Sequence, residues 1–412
     1  MQKVVVVAFF LYTLVFSYLS KSSQTIGFIV FIFLSVCFVL INRKKIPLRF
    51  SRDTEIKRFL KIFKFFLIVS SFYLAISFLN LPKLWKIDEL MFDMTYIPRH
   101  FFIIAELFIP ILIGYALFRL HIFNKLKVSV LIALYFLIFL TNLNNCVYSL
   151  LLILLSLVAW KMNCKMIMFL AFFINYHQTT YILGFVTMMF LLFFEKSISL
   201  FLSKNTITKI TSFVCLAIVV IFLLSNFLMF YVKNDPNSIW RYYVWMNEMD
   251  SLIKTYFSGV GFGSAYISND IIYQVDNINM YYNNVEGSFE TGAFIIANHS
   301  SIINIFYRMG IIGGLLFISL YVQIIRIVCK LYNQADIIKR RLLWYVFSVW
   351  IYETVVIFLN PGLEMMQFAL SYLLSLSVLT AVILEILFRK VFDEKLKLYN
   401  LKKLRDYDDK SY

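Results

Sequence analysis

One histidine and two arginines frame the part of this sequence best suited to chemistry. Arg241 lies in DPNSIWRYYVWMNEMDSLIK, and His299 and Arg308 lie in ANHSSIINIFYRMGIIGG. Between them stands TYFSGVGFGSAYI, with Gly259, Gly261 and Gly263. A guanidinium forks onto the oxygens of a phosphate. An imidazole titrates near neutral pH, so it takes a proton from a hydroxyl or returns one. The glycines lack the G-x-G-x-x-G spacing and no strand precedes them. They read as a tight turn or a close backbone approach to a ligand, not as a nucleotide fingerprint. The chain has only four histidines. His177 stands with Gln178 in INYHQTTYILGF, and His100 follows Arg99 in YIPRHFF, where Pro98 suits a helix start.

Each of these residues has a plainer reading beside the chemical one. Arg241 keeps company with Trp240, Tyr243, Val244 and Trp245, the spacing of a helix lying on a membrane surface, from which an arginine snorkels to phosphate headgroups. His299 is either a reactive group or an interfacial anchor, and Asn298-His299-Ser300 is a glycosylation-type triplet, common by chance. His177 and Gln178 at a helix end can simply meet water. Asp250, Asp270, Asp276, Glu286 and Glu290 suit contact with water, and NMYYNN suits packing at an interface. Glu106 and Glu353 fall inside apolar runs and need partners.

The elements that carry these residues are membrane helices. Of 412 residues, 61% are hydrophobic and 15% charged, with a mean hydropathy of +0.80. A soluble chain is nearer half apolar and one quarter charged. Apolar runs of spanning length recur throughout, which predicts an all-α, polytopic integral membrane protein with about 12 transmembrane helices. They fall near 3–19, 24–41, 59–80, 100–119, 127–143, 145–160, 165–177, 179–195, 208–232, 309–329, 341–359 and 363–388. The short run at 165–177 either spans or forms one bent, re-entrant unit with its neighbour. The first run lacks a small-residue cleavage site and reads as a retained helix rather than a signal peptide.

Loop charges orient these spans. With the N-terminus inside, NRKKIPLRFSRDTEIKR, FRLHIFNKLK, WKMNCK, EKSISLFLSKNTITK and KLYNQADIIKRR are all cytoplasmic, as is the basic tail after Phe388. The chain divides into helices 1–9 over 1–232, a large periplasmic loop over 233–308, helices 10–12 over 309–388 and a cytoplasmic tail over 389–412. The loop holds seven acidic and four basic residues and is the one place with room for a polar site. The net charge of +16 is accounted for by orientation signals and by contact with anionic membrane lipids, and calls for no nucleic-acid partner. Five scattered cysteines, without a CxxC pair, suggest neither a disulfide framework nor a metal site.

The order WRYYVW, SGVGFGS, NHSSIINIFYRMGIIGGLLF over residues 240–318 resembles the O-antigen polymerase/ligase superfamily. Arg241, Trp245, Gly261, Gly263, His299, Gly310 and Gly313 fall at the matching places, and one large loop before the tenth helix is similar to that family's layout. The resemblance implies a GT-C-like architecture in the bacterial inner membrane. It implies a lipid-linked oligosaccharide donor such as an undecaprenyl-pyrophosphate sugar, with no metal, nucleotide or other cofactor. Arg241 would neutralise the leaving pyrophosphate and His299 would take the proton of the attacking hydroxyl. His177, Gln178, Arg308 and Arg99 would assist at the phosphates, with Trp245, Gly261 and Gly263 on the substrate side. A flippase and a chain-length regulator of the same pathway are the implied partners. Two departures separate polymerase from ligase. Ser300 stands where relatives often carry Asn, and Asn175-Tyr176-His177-Gln178-Thr179 replaces a Thr-x-Ser/Thr-Arg segment of many ligases. Both point to a polymerase, with a ligase as the alternative. A lipid-linked oligosaccharide flippase is the reading from another class. It would show an internal repeat with broken helices in corresponding places, and the two halves here differ.

Overall fold

In the computed structural model, described over residues 53–77, 79, 82, 110, 111, 113–119, 123, 127–140, 145–174, 179–198, 236–264, 300–359 and 372–388, no described residue lies in a strand. The helices are α1 (Thr54–Ser77), α2 (Val128–Leu140), α3 (Asn145–Met162), a 3-10 helix (Lys165–Ile174), α4 (Thr179–Phe193), α5 (Pro236–Lys254), α6 (Ser301–Gln334), α7 (Ile337–Leu359) and α8 (Tyr372–Phe388). Three of them, α1, α6 and α7, are long and apolar enough to cross a membrane. The predicted spans at 3–19, 24–41 and 208–232 lie outside the described residues.

α6 is the axis of the arrangement: α1, α5 and α7 pack against it, and α7 in turn carries α3 and α4. α1 and α6 run antiparallel, because Asp53 and Glu55 at the start of α1 meet Lys330 and Gln323 near the end of α6. At 1.5 Å per residue, α1 is about 36 Å long, enough for the roughly 30 Å hydrocarbon layer. Helices in lipid gain little from apolar burial against one another, so close packing and polar satisfaction must hold them. An aromatic column does part of this. Tyr321 on α6 stacks on Trp350 of α7 (5.5 Å, 19°) and on Tyr372 of α8 (6.2 Å, 25°), and Phe317 packs on Phe66 of α1 (6.2 Å). Each such pair contributes about 1 kcal/mol. Buried hydroxyls return to their own helix: Ser70 donates to the Phe66 carbonyl, Ser348 to Trp344 and Ser377 to Leu373.

Two elements differ from the sequence expectation. The run at 165–177 contains a 3-10 helix over Lys165–Ile174. At about 2 Å rise per residue it covers roughly 20 Å, too short to cross on its own. It packs between α3 and α4. The helix expected to begin at 309 begins at Ser301, because Ser300 caps it: the Ser300 hydroxyl accepts from the Ile303 N–H at 3.5 Å. Residues 301–308 of the expected loop therefore belong to this helix. The break between that lead-in segment and the main helix is at Gly310 (φ 64°, ψ −173°).

Charged side chains gather where α1 begins and α6 ends. Lys330 bonds both carboxylate oxygens of Asp53 (2.8 and 2.9 Å), and Gln323 donates to the carbonyl and carboxylate of Glu55. Lys165 pairs with Glu195 (2.9 Å), which also accepts from the Tyr332 hydroxyl (2.8 Å). Arg340 donates to the carbonyls of Tyr332 and Ala335, and Lys339 lies 3.5 Å from Glu385. Burial works against the charge on Asp53, yet the Lys330 ammonium and the N–H groups of Glu55 and Ile56 outweigh it and hold its carboxyl below the ordinary value.

Candidate active site

The opposite end of the α1/α6 pair is built around residues 255–264. α5 begins with Pro236, whose missing N–H costs nothing at a helix start, and buries the stripe Val244, Glu248, Leu252. It ends in a tight reversal: Thr255 N–H bonds Ser251 O, Tyr256 N–H bonds Ile253 O and Phe257 N–H bonds Leu252 O (2.8–3.0 Å). The chain then passes through Gly259, Gly261 and Gly263, all left-handed (φ 82°, 81° and 76°).

This loop is inserted into the hydrogen-bond ladder of α6. In an unbroken helix the Ile311 N–H would bond the Tyr307 carbonyl. Here Ile311 N–H goes to Phe257 O (3.0 Å), and Tyr307 O instead accepts from Val260 N–H (2.9 Å). The Arg308 carbonyl likewise accepts from Gly261 N–H (2.9 Å). The backbone groups released at the break are thus taken up by protein, the condition for irregular backbone at membrane depth. The approach is too close for side chains on either strand. A Cβ on Gly310 would overlap the backbone of Phe257 and Ser258, and one on Gly259 would stand 2.8 Å from the Arg308 carbonyl. Gly310 also occupies a φ/ψ region reached essentially by glycine alone.

Side chains fasten the joint from both neighbours. The Tyr73 hydroxyl of α1 donates to the Ser258 carbonyl. Ser77, at the end of α1, donates to the Tyr73 carbonyl and accepts from the Phe262 N–H, both at 2.6 Å. Arg308, 1% exposed, donates through Nε to Asn304 Oδ1 (3.2 Å) and through Nη1 to the carbonyls of Gly261 (3.2 Å) and Ser264 (2.6 Å). Its guanidinium carbon lies 5.4 Å from the Tyr307 ring centroid. Glu248 is fully buried on α5.

The residues singled out by sequence are placed as follows. Arg241 lies in the second turn of α5, and helical spacing puts its position on the stripe of Val244 and Glu248. Trp245 is half-buried on the same helix, while Gly261 and Gly263 are buried in the loop. Arg308 is buried against the loop's carbonyl oxygens. His299 directly precedes the Ser300 cap and is outside the described residues, as are His177, Gln178 and Arg99. So are Glu106, Asp270, Asp276, Glu286 and Glu290. Asp250 is exposed and pairs with Lys254 (2.6 Å), and Glu353 is buried on α7. The segments carrying Arg241, the glycines and Arg308 are therefore brought together. Four residues of the joint escaped the sequence reading: Tyr73, Ser77, Glu248 and Asn304. Only Glu248 left a signal, a carboxylate four residues from Val244 and from Leu252 on an apolar stripe. Among the described residues, no three His, Cys, Asp or Glu side chains stand together as they would to hold a metal ion.

The Ser300 cap bears on one departure from the superfamily pattern. Asn and Ser cap helices about equally well. An asparagine at position 300 would cap the helix as the serine does. Comparison with family models, with curated proteins and with solved structures finds no match to this chain.

Proposed function

We propose that this chain is a polymerase of lipid-linked oligosaccharide repeat units of an O-antigen or capsular polysaccharide, seated in the bacterial inner membrane. The observation that carries the reading is the joint itself. Of the three segments that resemble the O-antigen polymerase/ligase superfamily, the first two lie close together in sequence and the third follows more than thirty residues later. α5, the glycine loop and the broken start of α6 meet at one end of the helix pair, held by backbone bonds between residues 257–261 and 307–311. The opposite end gathers Lys165, Lys330, Lys339, Arg340 and Arg341, the side that the positive-inside bias assigns to the cytoplasm. The joint then faces the periplasm, where lipid-linked repeat units are polymerised.

In this reading a sugar hydroxyl of one undecaprenyl-pyrophosphate-linked unit attacks the anomeric carbon of the glycan on another. The new glycosidic C–O bond forms as the bond to the pyrophosphate oxygen breaks, and the lipid pyrophosphate leaves. Arg241 stabilises the charge growing on the leaving group. His299 takes the hydroxyl's proton. Arg308 serves by holding the loop, through the Gly261 and Ser264 carbonyls, with His177, Gln178 and Arg99 as additional phosphate contacts and Trp245 on the glycan side.

Deleting the gene in its host and running the surface polysaccharide on a gel tests the reading. A polymerase leaves a single repeat unit on its acceptor and no ladder. A ligase leaves bare acceptor with long lipid-linked polymer retained, and a flippase leaves no outward-facing lipid-linked unit; either result replaces the proposal. His299→Ala and Arg241→Ala should each abolish chain extension at normal protein level, and wild-type ladders from both would remove these residues from the mechanism.

A further inference from the structure

Two aromatic residues at the end of α5 hold a backbone conformation that their side chains oppose. Tyr256 and Phe257 have φ of 51° and 60°. For a bulky residue this region is a genuine outlier, since Cβ crowds the following carbonyl. Among the described residues, the one other non-glycine there is Asn163, a type that tolerates it. Glycine is at hand in the same joint, at positions 259, 261, 263 and 310, all with positive φ. The strain persists because the backbone is fixed from several sides: Tyr256 N–H to Ile253 O, Phe257 N–H to Leu252 O, and Ile311 N–H to Phe257 O.

Packing does not compensate at the first of the pair. Tyr256 is 92% exposed, and Phe257 is about half exposed. A glycine at 256 would relieve strain and give up almost no contact with the described residues. The ring is therefore placed to meet something beyond them. An interfacial tyrosine that only anchors to headgroups works from any outward helical position and needs no strained backbone. A ring carried on a fixed backbone beside the glycine loop, with the exposed Ser258 next to it, suits a flat partner. A pyranose offers such a face of C–H groups, with hydroxyls at its rim.

We propose that Tyr256 is a glycan-binding platform, on which one sugar ring of the substrate stacks as it enters the joint. The inference rests on the polymerase reading. Its test uses the full chain in nanodiscs and, as probe, the water-soluble oligosaccharide that mild acid releases from the host's lipid-linked repeat units. Tyr256→Phe keeps the ring and should bind the probe like the wild type. Tyr256→Gly should raise the probe concentration for half-saturation about tenfold while unfolding at a temperature about 2 °C higher. Gain in stability with loss of binding is the signature of a residue kept for a ligand. Four results overturn the inference: no binding of the probe to the wild type, unchanged binding by Tyr256→Gly, a lower unfolding temperature for Tyr256→Gly, or an effect confined to vesicle lipid composition, which makes the ring an anchor. Its failure is separable from that of the polymerase reading. A gene deletion that leaves the polysaccharide ladder intact removes the reading, whereas a lost ladder with wild-type behaviour of Tyr256→Gly removes the platform alone.

Discussion

The two ends of the α1/α6 pair are held by different chemistry. At the charged end, side chains on separate helices reach one another: Lys330 to Asp53, Gln323 to Glu55, Tyr332 and Lys165 to Glu195. At the glycine-loop end, backbone meets backbone within the helical ladder of α6, and the one arginine involved is 1% exposed. Partly exposed side-chain pairs in a wet setting contribute little each and can shift by a rotamer. A loop sewn into a helix has no such freedom. The first kind of end tolerates change, and the second holds one geometry.

The largest expected effect comes from closing the glycine-loop end to its own geometry. Gly310→Val places a β-branched side chain in a glycine-only conformation and drives its Cβ into the Phe257 carbonyl. The strain alone costs roughly 1–3 kcal/mol, and the overlap adds to it. Size-exclusion chromatography of a fluorescent fusion should show little folded protein. A normal monodisperse peak would mean the break is not built in. Leu315→Val, at an exposed helical position, is the control on the same helix.

Next in size is a matched pair of cations. Arg308→Met strands the carbonyls of Gly261 and Ser264 and the Asn304 amide in a buried space, at about 2–3 kcal/mol. Arg308→Lys should recover only part of this, since one ammonium cannot reproduce the fork. Lys330→Met at the charged end removes a bridge that is 31% and 15% exposed on its two sides, worth about 1 kcal/mol or less. Thermal unfolding in one lipid composition should therefore rank Arg308→Met well below Lys330→Met. Equal losses would erase the contrast between the ends.

The sequence made the three long apolar helices legible, because an apolar run of bilayer length has few other uses. The span expected at 341–359 matches Ile337–Leu359, and that at 59–80 matches Thr54–Ser77 within a few residues. The break was not legible. MGIIGG offers Gly310, Gly313 and Gly314 as equal candidates, and Phe257, more than fifty residues upstream, selects the first. Arg308 was legible as a misplaced charge, since a cation on that side needs a reason. Its partners, the carbonyls of Gly261 and Ser264, carry no side-chain signature at all, so phosphate was the natural expectation. Tyr73 and Ser77 were hidden for the same reason, being ordinary polar residues on a membrane helix whose roles depend on a loop far away in sequence.

Acid separates the ends by a smaller margin. The Asp53 carboxyl is held below its ordinary 3.8, so its charge adds stability above that value. The contribution is lost as pH falls through the lower, folded-state value. The stability difference between wild type and Asp53→Asn should stay constant from pH 8 to about 5 and shrink only below about 4. A difference that already fell between pH 7 and 6 would point to a group other than Asp53.

The smallest effect is the most useful for the reading of the site. Ser300→Ala removes the acceptor for the Ile303 N–H and should cost about 1 kcal/mol, whereas Ser300→Asn should be nearly neutral, because asparagine caps as well as serine. If capping is all that position 300 does, Ser300→Asn also leaves chain extension unchanged, and the serine stands as an exchange between equivalent caps. If Ser300→Asn keeps full thermal stability yet alters the polysaccharide ladder, the side chain after His299 reaches the reacting groups. The first turn of α6 then belongs to the chemistry as well as to the joint.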